Sequence, residues 1–582
     1  ENADLNSSTF QFCIFLSGNS YNLNDWYMDD ITLFAPYNFD AGIASIGVPN
    51  YFLDDTPVNG NVINFGSTEI TSLKMSYQIG EQTPVVQDFT GLNLGFGDDF
   101  DFEFTQLMSL DPGSYDLTVK IVEVNGQASD DLADNNIVEK AFSVPSQSVS
   151  RRPLFEEFTS STCGPCASFN SSFFNGFTTT NADQITLVKY QMNWPGSGDP
   201  YYTAEGGVRR NYYGVNAVPQ LFVDGMSTAA TGAVVNSVFA QQLSEPAFLN
   251  IDGFHTINGT EIEVVGNFNS FVGLSNMTAY LVVFENVTTQ NTGGNGETSF
   301  KHVMMKMVPN ANGSSLTLED GCLNQIHQVV DLAGTHIEEY TDLGVAIFLQ
   351  DNTSKYIMQS NYSTEQNAPY YTVTFTKTGN GYTNLFAGDY YYYENGTVTL
   401  KAGSKNGFVF DKWIVNGADV TEPNYEFNIT ANSTVEAVFT EAESFTVDIS
   451  VEGDGAVTPE AGSHTYYAGS NFTLTAVPAE NYHFVKYVIN GTDETTNPLE
   501  VTVNENLTIV THFALNDLVP EIENNMGVTL FPNPSNGKVV ASFAQNFDNV
   551  LINLININGQ VVSSREIKEI TNCSPIEFDI ES

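Results

Sequence analysis

Two cysteines three residues apart are the part of this chain best suited to chemistry: Cys163-Gly164-Pro165-Cys166. They follow a strand-like run, Leu154-Phe-Glu-Glu-Phe158, by a short loop. They precede a stretch in which Phe169, Phe173, Phe174 and Phe177 share roughly one helical face, although its Ser and Asn content makes it a weak helix. A thiol at a helix start meets free N–H groups and the positive end of the dipole, and both favour thiolate, so Cys163 is expected to ionise below the ordinary cysteine value. Pro165 suits the first turn, where its missing N–H has no helical partner. The spacing lets Cys166 attack a mixed disulfide held on Cys163, making resolution intramolecular. The chemistry is thiol–disulfide exchange, and the dithiol is its own redox group, so no diffusible cofactor is expected. The competing reading is a structural bridge in an adhesin or spacer protein.

The remaining cysteines, Cys13, Cys322 and Cys573, are isolated in sequence, and an odd count leaves at least one without an intrachain partner. There is no second Cys-x-x-Cys and no closely spaced His pair, so a zinc site is not expected. His302, His327 and His336 read as satisfied polar residues on sheet edges.

The elements that must position the dithiol alternate in type over residues 151–245. Strand-like segments at Pro153–Phe158, Ile185–Met192 and Leu221–Val223 are interleaved with helical stretches from Cys166, near Thr203–Tyr213, and around Val234, Val235, Val238, Phe239 and Ala240. Such alternation predicts an α/β layer. Everything around it reads as β. Residues 38–147 show about seven strands with turn signals every 8–15 residues, as in an immunoglobulin-like sandwich. Residues 246–365 contain Met277–Phe284 and Leu343–Leu349, buried strands of a second sandwich. Residues 370–441 and 444–515 are an internal repeat: Tyr371–Gly381 matches Phe445–Gly455 at an offset of 74, which also pairs Trp413 with Tyr487 and Phe439 with Phe513. Tyr390 to Tyr393 offer either a stacking platform for sugar or, as preferred, a strand packed on one face.

Composition narrows the function. The chain has 582 residues, enough for about four to six domains. With 19 Lys+Arg against 69 Asp+Glu the formal charge is −50, which excludes phosphate-backbone binding and disfavours an anionic membrane surface. Aromatic residues at 12% argue against disorder. No run of 18 apolar residues is present, so no transmembrane helix is expected. No signal peptide is visible at Glu1, and strand-like sequence from Thr9 to Leu16 reads as the start of a mature or truncated fragment.

Cys-Gly-Pro-Cys is the active-site tetrapeptide of thioredoxins, and residues 151–245 resemble the thioredoxin fold. The resemblance implies that Glu157, six residues before Cys163, takes the proton of the resolving Cys166. It also implies that Val218-Pro219, just before Gln220-Leu-Phe-Val-Asp-Gly225, is the cis-proline loop. Pro219 would then shape a substrate groove with Gly164, Pro165 and the Val218 backbone. Thr162 replaces the usual tryptophan, and the insert Asn193–Asn216 is longer than in minimal thioredoxins. Thioredoxin-type dithiols lie at about −270 mV, and Gly164-Pro165 favours that reducing end. The wider frame, Glu156-Glu-Phe-Thr-x-x-x-Cys, then Tyr213-Gly-Val-x-x-Val-Pro219, then Phe300-Lys-His-Val-Met-Met-Lys306 and Val345–Asp351, resembles the outer-membrane-protein-28-related family of secreted proteins.

Three further resemblances place the protein. Trp26-Tyr-Met-Asp-Asp-Ile31 resembles the last strand of jelly-roll adhesin modules, giving 1–36 as the end of such a domain. There Asp29 and Asp30 are weak calcium candidates beside the alternative of a polar turn. The tandem units resemble small β repeats of bacterial surface proteins. Phe531-Pro-Asn-Pro-Ser-Asn-Gly537 and Asn558-Gly-Gln-Val-Val562 resemble the C-terminal sorting domain of type IX secretion cargo, over 524–582. Its usual last strand is missing, so the natural protein is expected to continue. The implied protein is secreted, attached to the outer-membrane surface of a Gram-negative bacterium, multidomain and mostly β, with one thioredoxin-fold module. Its implied partners are the type IX machinery, protein or peptide thiols and disulfides, and a candidate cell-surface glycan.

Overall fold

The computed structural model describes residues 37–128, 130–405, 407–516, 528–531, 538–543, 546–555, 561–570 and 576–579. The expected jelly-roll remnant with Asp29 and Asp30 lies outside the described residues, as do Cys13 and Cys573. The chain is multidomain and mostly β, and every α-helix among the described residues falls between Gly164 and Ser244. Two compact units are distinguished, residues 1–441 and 442–582.

The described part of the first unit begins with a two-sheet sandwich. Ala41–Ile46, Thr56–Asn64 and Asp99–Met108 form one sheet; Val85–Leu94, Ile70–Ile79, Gly113–Val124 and Ile137–Val144 form the other. Alternate residues such as Leu73, Met75, Tyr77 and Ile79 fill the core between them.

The α/β segment follows. Leu154–Thr159 runs parallel to Thr186–Gln191 on one side and antiparallel to Gln220–Val223 on the other, which in turn pairs with Met226–Thr228. All six residues of both parallel strands are buried. Their even-numbered side chains, Leu154, Phe158, Val188 and Tyr190, fill one core. Their odd-numbered ones, Phe155 and Leu187, join Phe174, Phe177 and Val235 in another, under the helices. Burial on both faces is why these strands read as continuous runs rather than alternating ones.

This sheet does not end at residue 245. Thr186–Gln191 pairs in parallel with Phe300–Val308, and the sheet runs on through Leu274–Thr288, Leu343–Asp351 and Ile357–Tyr362. An uncovered edge at Thr186–Gln191 would leave a row of backbone groups unpaired. The division read at 245/246 is therefore crossed by one nine-stranded sheet. A second sheet of Leu249–Asn258, Glu261–Ser270, Leu323–Asp331 and Thr364–Glu365 covers its far end, with Ile251, Val264 and Phe268 packed against Leu281, Val283 and Ile347.

The two repeat modules have the same topology, one on each side of the division at 441/442. Tyr370–Thr378 lies parallel to Ser433–Glu441, and Ser444–Glu452 lies parallel to Leu507–Leu515, in registers offset by 74 (Val373 opposite Ser433, Val447 opposite Leu507). Trp413 and Tyr487 are fully buried at equivalent places. Gly381 and Gly455 each lie where a Cβ would strike the ring of Phe439 or Phe513, at 2.0 and 2.7 Å. The described parts of the C-terminal segment form two small sheets, Val528–Phe531 with Lys538–Phe543 and Ile576–Asp579, and Val550–Ile555 with Val561–Ile567.

Candidate active site

Cys163 is the N-cap of a helical run from Gly164 to Thr180, and Cys166 N–H donates to its sulfur at 3.1 Å. Pro165 occupies the first turn, as its missing donor allows. The run is not uniform: Asn170–Phe174 is a π-helical turn between two short α segments, the local expression of a Ser- and Asn-rich sequence. Its aromatic face nevertheless packs as the spacing indicates, with Phe155 against Phe174 and Phe177.

Cys163 and Cys166 are joined in a disulfide. The Val218–Pro219 bond is cis, and Cys163 Sγ lies 3.6 Å from the Val218 carbonyl oxygen. Gly164 and Pro165 are exposed, and Val218 and Pro219 are half-buried. Cys163 itself is only 1% exposed and Cys166 0%. The disulfide is therefore covered, not displayed.

Glu157 and its neighbour Glu156 point to opposite faces of the sheet, following the two-residue period of a strand. Glu157 is fully buried and pairs with Lys189, its register partner on the parallel strand, at 2.7 Å. Burial raises its carboxyl above the usual range; Lys189 opposes that rise and Glu297 adds to it. Lys189 also donates to Asn170 Oδ1 at 3.0 Å and lies over the Phe174 ring. On the other face Glu156 takes a two-pronged bond from Arg209 and hydroxyl bonds from Tyr190 and Tyr213. That cluster anchors the helix Ala204–Tyr213, which belongs to the insert.

The insert grips the cysteine turn. Ser161 N–H donates to Asp199 Oδ2 at 2.9 Å, and Thr162 donates its hydroxyl to the Pro195 carbonyl at 2.6 Å. The same turn is held from another side by the loop 289–299, whose Asn295 donates to the Cys163 carbonyl at 3.2 Å. Lys189, Asn170, Asp199, Asn295 and Glu297 escaped the sequence reading. Only Lys189 left a signal, as a charge inside the apolar run Ile185–Met192.

The other candidates are dispersed. His302 is half-buried between Phe284 and Tyr362, and desolvation there lowers it to about 4; His327 pairs with Glu263; His336 stacks on Tyr201. Among the described residues no three His, Cys, Asp or Glu side chains form a metal-binding group. The tyrosine run is no continuous platform: Tyr390 is buried with its hydroxyl on Phe386, while Tyr393 is exposed. Tyr391, Tyr392 and Tyr393 line one wall of a cavity of about 760 Å³.

Comparison with known families assigns part of the chain. Residues 371–443 and 445–517 each match the divergent InlB B-repeat domain. Residues 529–582 match the secretion system C-terminal sorting domain. This is a secreted, outer-membrane-surface protein. Its C-terminal segment is the part that engages the type IX secretion machinery. No helix among the described residues is long and apolar enough to cross a membrane. No thioredoxin or outer-membrane-protein-28 family matches, and no curated protein matches the chain. Among solved structures, an Agrobacterium tumefaciens protein aligns at 17% identity over 38% of this chain and 98% of its own, with a TM-score of 0.27. The CARDB domain of a Pyrococcus furiosus protein, solved with di-metal ions, aligns at 16% identity over 20% of this chain and 99% of its own, with a TM-score of 0.15.

Proposed function

We propose that residues 151–245 are a thioredoxin-like module and that its Cys163–Cys166 pair exchanges disulfides with protein or peptide substrates at the cell surface. The observation that carries this reading is the placement of Cys163 Sγ at the start of a helical run, 3.6 Å from the Val218 carbonyl beside Pro219. A disulfide that only braces a fold has no need of that neighbour, whereas an exchanging one uses such backbone to hold an extended substrate.

In the reduced form the Cys163 thiolate attacks a substrate disulfide. A Cys163–substrate bond forms and the first substrate sulfur leaves as thiolate. Glu157 accepts the Cys166 proton, the Cys166 thiolate attacks Cys163 Sγ, and the second substrate sulfur leaves. The substrate gains two electrons and two protons; the dithiol becomes the disulfide and is returned by a dithiol reductant. Run backwards, the same steps oxidise a substrate dithiol. The electrons are carried by the two sulfurs, and the resident cofactor is the dithiol itself.

One observation favours the competing reading of a redox-inert adhesin: both cysteines are buried. The two readings separate in an insulin reduction assay driven by dithiothreitol. Exchange predicts that the parent chain accelerates precipitation and Cys163→Ser does not. Equal rates would leave only a scaffold.

A further inference from the structure

The loop 289–299 joins the sheet strands Leu274–Thr288 and Phe300–Val308, well outside the α/β segment in sequence, yet it closes on the cysteine turn. We propose that this loop is a positioning clamp for the dithiol, in which Asn295 fixes the turn that carries Cys163 and Glu297 sets the charge around the Glu157–Lys189 pair. It deepens the exchange reading and rests on it for its biological meaning.

The grip is made from both backbone and side chain. Asn295 N–H donates to the Ser161 carbonyl at 3.1 Å, and its side-chain amide reaches the Ser160 carbonyl at 3.3 Å and the Cys163 carbonyl at 3.2 Å. Gly293 approaches Ser161 so closely that a Cβ would lie 2.6 Å from the Ser161 carbonyl carbon. Only a residue without a side chain brings the loop to that distance.

Glu297 continues the chain of contacts inward. Its carboxylate accepts from Asn295 Nδ2 at 2.7 Å and from Asn170 Nδ2 at 3.1 Å. Asn170 Oδ1 in turn accepts from Lys189, which pairs with Glu157. An unbroken polar path thus runs from the Cys163 carbonyl through Asn295, Glu297, Asn170 and Lys189 to the buried Glu157. The charged or titratable groups around this path are Glu157 and Lys189 on the sheet, His302 and Lys301 on the adjoining strand, Asp199 on the insert and Glu297 on the loop. Two amide donors hold Glu297 where its negative charge opposes new negative charge nearby. That includes the Glu157 carboxylate and, on this proposal, the thiolate that reduction produces at Cys163.

The full chain reduced with a phosphine and alkylated with iodoacetamide across pH 5 to 10, with Cys163 read by peptide mass mapping, tests both residues. Glu297→Gln is expected to move the alkylation midpoint of Cys163 down by about 0.5–1 pH unit, and Glu297→Asp to restore the parent value. Glu297→Ser, also uncharged, serves if Glu297→Gln fails to fold. Asn295→Ala keeps the charge and frees the turn, so it is expected to hasten reduction of the Cys163–Cys166 disulfide by dithiothreitol several-fold without moving the midpoint. An unmoved midpoint on losing the Glu297 charge, or an Asn295→Ala disulfide reduced at the parent rate, overturns the clamp. No substrate takes part, so inactivity toward insulin refutes exchange while leaving these readings to stand or fall alone.

Discussion

Replacing Lys189 by methionine removes the cation paired with Glu157 while keeping the length of the side chain. Both partners are almost wholly buried and 2.7 Å apart. Taking away one member of such a pair leaves an uncompensated charge in the interior, which costs about 3–5 kcal/mol. The remaining Lys189 interactions, the bond to Asn170 and the face of Phe174, are lost as well. Two of the influences that keep the Glu157 carboxyl from rising further come from Lys189, so the variant carries a still weaker acid. The sign follows directly. An acid whose folded value lies above its unfolded one binds more protons in the folded state, so stability falls as pH rises from the unfolded value of about 4.3 toward the raised one. Lys189→Met is therefore expected to be more destabilised at pH 8 than at pH 5. The double variant Glu157→Gln/Lys189→Met, which buries no charge, should recover about 2 kcal/mol or more of the loss. Hydrogen exchange read at Leu154–Thr159 and Thr186–Gln191 isolates this sheet from the other domains. A Lys189→Met opening free energy within about 1 kcal/mol of the parent, or one with no pH dependence, would refute the reasoning.

Three further outcomes follow from named contacts. Burial pushes the Asp224 carboxyl up to about 7 although Arg151 lies 3.6 Å away, so stability should fall by about 2–4 kcal/mol as pH rises from about 4 to 7; melting of Asp224→Asn across that range should be flatter. Arg209→Lys cannot reproduce the fork that meets both Glu156 oxygens while also reaching Gln350, and should cost about 3 kcal/mol or more in urea unfolding of this sheet. Gly381→Ala and Gly455→Ala should each loosen their own repeat by about 1–3 kcal/mol, seen as faster exchange at Tyr370–Thr378 and Ser444–Glu452, because each new methyl meets a core phenylalanine.

Much of this was legible from local pattern. Cys163, Pro165 and the helical run that follows them needed only spacing, because a cap and its first turn are short-range devices. The 74-residue repeat needed only self-comparison, since equal cores at Trp413 and Tyr487 demand equal spacing. The parallel pairing of Thr186–Gln191 with Phe300–Val308 was invisible, because it joins segments more than a hundred residues apart and neither strand names its partner. The buried charge network failed for the same reason. Lys189 meets Glu157 only once the register is set, and Asn295 and Glu297 sit in a Gly- and Asn-rich stretch that reads as an ordinary surface loop. The covering of Cys163 was equally hidden, since the gripping residues Asp199 and Asn295 lie far along the chain from the turn they hold.

Trapping the mixed disulfide tests the proposed exchange most directly. With Cys166→Ser the resolving thiol is gone, and the folded chain incubated with oxidised insulin should accumulate a covalent adduct at Cys163, located by non-reducing peptide mass mapping and released by dithiothreitol. An adduct that forms only after denaturation, or that forms equally at Cys322, would contradict the account and leave Cys163–Cys166 as a structural bridge.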